Sequence, residues 1–135
     1  MENKTNKRRL TPIETLDAYK AFCDFRKYMY QAIEKFPKWI KHSEGSACIA
    51  SIKDCVRFLS VIARTYDEKV KLNYIDAFLA EWDVVSDSVL FFFDVKCVSS
   101  HTCAVMLKMK DEVEAQLTAL RRHWLENAKG EGGAE

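Results

Sequence analysis

Apolar residues recur at three- and four-residue spacing in four successive runs, and this period restricts the chain more than any other feature. In the first run Leu16, Tyr19, Phe22, Cys23, Phe25, Met29, Ile33 and Phe36 keep helical spacing. Thr11-Pro12 supplies a cap and a proline at the first helical position. Together these predict one helix of about 24 residues, about 36 Å long. Pro37 closes it, because the residue before a proline is pushed out of the α region and proline donates no hydrogen bond. Trp39 and Ile40 are then expected to fold back as an apolar plug over the end of the bundle.

The second helix is expected from about Ser43 to Tyr66, capped by Ser43 or Ser46. Its stripe is Cys48, Ile52, Cys55, Val56, Leu59, Ile62, Ala63 and Tyr66. The third spans about Glu68 to Lys96, with Ile75, Phe78, Leu79, Trp82, Val85, Val89, Phe92 and Phe93 as its stripe. "VLFFFDV" alone has strand composition, but helical spacing runs through it. Phe91, Phe92 and Phe93 do not fit one narrow face, so at least one is expected to meet another chain or a second layer. Ser99 or Ser100 caps a fourth helix, with Met106, Val113, Leu117, Leu120 and Trp124 as its seam, ending near Asn127. The reading is all-α: an antiparallel up-down-up-down four-helix bundle over residues 12–127. A disordered basic arm (1–11) precedes it and a flexible tail (128–135) follows. Only four Gly and two Pro among 135 residues argue against a turn-rich β fold.

No run approaches 18 consecutive apolar residues, so no membrane-spanning helix is expected. The polar, basic start lacks the apolar region of a secretory signal. Five cysteines, with no C-x-x-C pair, fit reduced thiols in a cytoplasmic protein.

Phosphate-binding glycine loops, zinc-protease and serine-hydrolase motifs are missing, as is the Glu-x-x-His pair of di-iron bundles. Cys97, His101 and Cys103 cluster, but match no standard zinc spacing. His42 and His123 fit surface or helix-end positions. Glu81, Asp83, Asp87 and Asp94 alternate with core positions as a solvated face does. No enzyme, metal or cofactor is expected.

The distribution of charge is more informative. The net charge is +1, yet residues 1–66 carry thirteen Lys/Arg against seven Asp/Glu, and residues 67–135 eight against thirteen. The halves are therefore +6 and −5. Lys53, Arg57 and Arg64 share a face of the second helix. Arg26, Lys27, Lys35, Lys38 and Lys41 belong to the first helix and its turn, and Lys4, Lys7, Arg8 and Arg9 to the arm. Cations at suitable reach bind phosphate without sequence preference, and a solvated basic face has the same pattern.

The order of "EKFPK", "FLSVIARTYDEK", an aromatic-rich third helix and "EVEAQLTALRRHW" resembles the small bacterial four-helix-bundle proteins related to those encoded by ribosomal RNA intervening sequences. Among them it looks most like the accessory variability determinant proteins of diversity-generating retroelements. The resemblance spans about residues 16–125, with Phe36-Pro37-Lys38 its sharpest piece. The chain departs from that pattern in its near-neutral charge and in "WIKHSEGSAC" after Phe-Pro-Lys. The resemblance implies a homopentameric barrel that binds nucleic acid and the element's reverse transcriptase, and supports adenine-directed errors without being the catalyst. The candidate contacts here are Lys53, Arg57, Arg64, Arg26, Lys27, Lys38 and Lys41. The alternative is an interaction module of the intervening-sequence type with a protein partner and no polynucleotide.

Overall fold

A computed structural model describes residues 8–134, and among these the chain is all-helical, with four long helices and no strand. The long helices are α1 (Asp17–Glu34), α2 (Ser46–Arg64), α3 (Glu68–Asp94) and α4 (Ser100–Ala134). Lys4 and Lys7 of the expected arm lie outside the described residues.

The start of α1 differs from expectation. Pro12–Thr15 forms a separate 3₁₀ turn, and Leu16 is extended (φ −78°, ψ 128°) before α1 begins. Local hydrogen bonds explain the break: Thr11 donates its N–H and hydroxyl to the Glu14 carboxylate, both at 2.8 Å, and Thr15 Oγ1 donates to the Pro12 carbonyl at 2.6 Å. Arg8 grips the same carboxylate at 2.9 and 2.7 Å, so it is tied to the fold. The turn packs on α2 and leans on α1.

Pro37 ends the first helical segment as expected, and it also starts the second. Pro37 caps the turn Lys38–Ile40, which continues through a π-helical turn, Lys41–Gly45, directly into α2. The serines act inside this run: Ser43 Oγ donates to the Trp39 carbonyl at 2.6 Å and Ser46 Oγ to the Lys41 carbonyl at 3.1 Å. Neither caps the helix. The π turn corrects a register error. Ile40 and Ile52, twelve residues apart, would lie about 120° apart on an uninterrupted α-helix; inserting one residue brings them within about 20°. Both are fully buried. The expected plug is therefore half realised, with Ile40 in the core and Trp39 66% exposed.

Gly45 makes this corner possible. A Cβ there would sit 2.9 Å from Ile33 Cγ2 and 3.1 Å from the Ile40 carbonyl oxygen.

Asp67 caps α3, its side chain accepting the Lys69 N–H at 2.9 Å. It ends in a Schellman arrangement, with Cys97 N–H to the Phe92 carbonyl and Lys96 N–H to that of Phe93. Lys96 takes the left-handed conformation (φ 65°) that this ending requires. Ser99 caps α4 by accepting the Thr102 N–H at 3.1 Å. α4 continues past Asn127 to Ala134. Glycine weakens a helix by about 1 kcal/mol per residue, but it does not block one as proline does.

The stripes meet around an aromatic centre. Phe22, Phe25, Phe78 and Trp82 lie with ring centroids 5.0–6.1 Å apart, and Phe36 meets Phe92 at 4.8 Å near the other end. Trp82, fully buried, donates its indole N–H to the Lys110 carbonyl at 3.1 Å. Lys110 is itself buried, its ammonium 2.8 Å from Glu114 and 3.4 Å from Asp111. Two stripe members fall outside the core. Tyr66 is 94% exposed because α2 stops at Arg64, and Phe93 is 41% exposed as the outward member of its triplet. Val56, Ala63, Leu79 and Leu120 are half-buried.

Candidate nucleic-acid interface

The basic residues of α2 hold their places because the opposite face is fixed. Cys48, Ile52, Cys55, Leu59 and Ile62 are buried to within 1% exposure. That anchoring turns Lys53, Arg57 and Arg64 outward, and all three are exposed. At 100° per residue they fall within an arc of about 40°. Counting the π turn as one inserted residue brings Lys38, also exposed, onto the same line. The result is a cationic stripe about 40 Å long on one continuous helical run. Trp39 stands about 100° to its side.

The stripe is only partly committed to other groups. Arg57 donates to Asp54 at 2.6 Å, an exposed pair one turn apart. Such a contact is worth at most about 1 kcal/mol and exchanges readily for a phosphate. Lys38, Lys53 and Arg64 form no ion pair among the described residues.

The other candidates stand elsewhere. Lys41 reaches back across the proline corner to Glu34 at 2.8 Å, where it ties α1 to the π turn. That contact holds the Glu34 carboxyl below its ordinary range, chiefly through the Lys41 hydrogen bond. Arg26 is half-buried, its guanidinium carbon 5.6 Å from the centre of the Phe22 ring and its Nη2 3.7 Å from Cys23 Sγ. It works against the burial that pushes the neighbouring Tyr30 phenol up. Lys27 is exposed but about 100° further round α1. Lys53, Arg57, Arg64 and Lys38 therefore line one face of a single helical run, while Lys41 is engaged by Glu34 and Arg26 and Lys27 belong to another helix.

α3 carries the opposite charge. Asp83, Asp87 and Asp94 are exposed within about 40° of one another. Their spacing repeats that of Lys53, Arg57 and Arg64, four residues and then seven. Between and beside them Leu90 and Phe93 are 48% and 41% exposed.

Several other features bear on chemistry. All five cysteines are free thiols. Burial pushes Cys48 up to about 12 and raises Cys55 further still, which leaves both without thiolate character. No three His, Cys, Asp or Glu side chains gather to hold a metal ion among the described residues. A cleft of about 360 Å³ lies where the end of α1 meets the α3–α4 turn, lined by Tyr28, Gln31, Lys35, Phe36, Cys97 and Thr102. It pairs no base with a nucleophile. No helix among the described residues is long and apolar enough to cross a membrane.

The exposed Trp39 escaped the sequence reading, because a tryptophan beside a proline corner looks like core. The signal that could have found it was Ile40: twelve residues before Ile52, it joins the core only if the register slips, and the slip turns Trp39 out. No protein-family model matches the chain, and no curated protein matches it significantly.

Proposed function

We propose that this protein is a non-enzymatic accessory factor of a diversity-generating retroelement, a cytoplasmic homo-oligomer that holds nucleic acid and the reverse transcriptase together during mutagenic copying. The observation that carries the reading is the exposed line of Lys53, Arg57 and Arg64 on α2, a helix whose other face is locked in the core. The resemblance of "EKFPK" and "FLSVIARTYDEK" to the accessory variability determinant proteins supplies the biological setting and the pentameric assembly. Cations at fixed intervals on a rigid rod bind a phosphate chain by releasing its counterions, with no demand on sequence.

Binding of labelled single-stranded RNA and DNA across a salt series tests this. Affinity should fall steeply with salt. The triple variant Lys53→Ala, Arg57→Ala, Arg64→Ala should keep its helicity and flatten the log–log salt slope by about 2 to 3. A wild-type protein that binds no polynucleotide at low salt, and does not associate with a retroelement reverse transcriptase, is not this factor.

A second reading, an interaction module of the intervening-sequence type with a protein partner, is favoured by Val84, Leu90 and Phe93. These lie exposed on α3 at 49%, 48% and 41%. Retention of a protein partner by the triple variant, with no polynucleotide binding by the wild type, selects that reading.

A further inference from the structure

Trp39 is the anomaly of this surface. The other two tryptophans, Trp82 and Trp124, are 0% and 7% exposed, whereas Trp39 is 66% exposed. Its backbone is also held in place. Pro37 fixes the backbone two residues before it, Ile40 is anchored in the core immediately after it, and its carbonyl accepts the Ser43 hydroxyl at 2.6 Å. A large flat ring on a rigid corner loses little conformational entropy on stacking. The corner also carries Lys35, Lys38 and His42, all exposed. Lys41 and Glu34 neutralise one another there, and Glu44 is the remaining acid.

We propose that Trp39 is a stacking platform for an unpaired base, and that this end of the α2 stripe selects single-stranded over duplex nucleic acid. The inference rests on the nucleic-acid reading above and deepens it. The cationic stripe tracks phosphates of either form, but a ring face can be covered only by a base that has left its own stack. Lys38, adjacent in sequence and aligned with Lys53 and Arg57, leads the backbone from the stripe to the ring. A lipid surface also favours tryptophan beside lysine. It would engage further apolar side chains beside the ring, and the corner segment itself, residues 35–45, exposes no other large hydrophobic side chain.

The test uses the full chain at low salt. Because the other two indoles are buried, a single-stranded oligonucleotide should quench mainly Trp39 emission. Anisotropy of the same labelled strand should show Trp39→Ala binding about tenfold more weakly, with Trp39→Phe close to wild type. Duplex of equal length should bind wild type and Trp39→Ala alike. If single-strand affinity is unchanged in Trp39→Ala while the α2 triple variant loses binding, the platform is refuted and the stripe stands. If the wild type binds no polynucleotide, both fall. If Trp39 emission shifts blue on vesicles of mixed phosphatidylcholine and phosphatidylserine, and oligonucleotides leave it unchanged, the corner serves a membrane instead and the platform is refuted.

Discussion

Gly45 shows how one residue can set the geometry of a corner. Its backbone is helical, so conformational freedom is not what the position requires. It requires space. The missing Cβ would press 2.9 Å from Ile33 Cγ2 and 3.1 Å from the Ile40 carbonyl oxygen. Ile33 is 1% exposed and branched at Cβ, so its methyl has nowhere to swing, and the carbonyl belongs to the helical turn that seats Ile40. Gly45→Ala gains about 1 kcal/mol of helix propensity. It loses about 1–3 kcal/mol to overpacking, the typical cost of forcing an extra carbon into a filled core. The expected net effect is destabilisation, read as a lower urea midpoint at unchanged m-value. A stabilised Gly45→Ala protein would mean that the corner yields, and that the π turn does not depend on this contact.

At the scale of elements, the signals that survived from sequence to structure were those with one local cause. Pro37 had to end a helix, Ser99 sat where a cap belongs, and the stripes of α1 to α4 followed from period alone. The errors came from competing hydrogen bonds and from register. The 3₁₀ turn exists because the Glu14 carboxylate draws in Arg8 and Thr11 together, and no apolar pattern reports that convergence. The π turn was hidden because a one-residue slip preserves local helical spacing on both sides. Of the candidate site, the shared face of Lys53, Arg57 and Arg64 was legible from spacing. The diversion of Lys41 to Glu34 was not, since the pair spans the proline corner. The strap at Pro12–Thr15 predicts a pH response. The Arg8 guanidinium, then the Thr11 N–H and hydroxyl, hold the Glu14 carboxyl at about 2, well below its ordinary 4.5. A depressed carboxyl stabilises the fold above its unfolded value and loses that contribution as pH falls through the folded one. The strap should therefore stay closed at pH 5 and open as pH approaches 2. The carboxyl carbon shift of Glu14 in an NMR titration measures the midpoint directly. Glu14→Gln should show at neutral pH the faster Leu16 amide exchange that wild type shows only in acid. A Glu14 midpoint at its ordinary value would mean that Arg8 does not hold the strap.

For the whole molecule, the question is which partner uses the charge. The two halves carry +6 and −5, and the structure resolves that polarity into matching stripes. Lys53, Arg57 and Arg64 on α2, and Asp83, Asp87 and Asp94 on α3, are each spaced by four residues and then seven. Laid side by side in the same direction, three opposite charges fall into register at once; in the reverse direction the intervals clash. The basic stripe of one copy on the acidic stripe of the next is a head-to-tail contact, which closes into a ring when its rotation permits. Polynucleotide and neighbouring copy would then compete for the same cations, both weakening as salt rises. Charge exchange separates the two uses. If the proposed polynucleotide binding and the assembly both use α2, reversing Lys53, Arg57 and Arg64 to glutamate should abolish the one and leave monomers in light scattering. Adding Asp83→Lys, Asp87→Lys and Asp94→Lys to the same chain restores the complementary pair with its signs exchanged. If α2 meets α3 in the assembly, the sextuple variant should recover the wild-type mass. Whether it also binds nucleic acid then depends on where phosphate is met: recovery means that cations on α3 can replace those on α2, and mass without binding means that α2 alone faces the strand. If the sextuple variant stays monomeric while the wild type is oligomeric, these stripes do not form the contact between copies, and the cations of α2 are left for the polynucleotide.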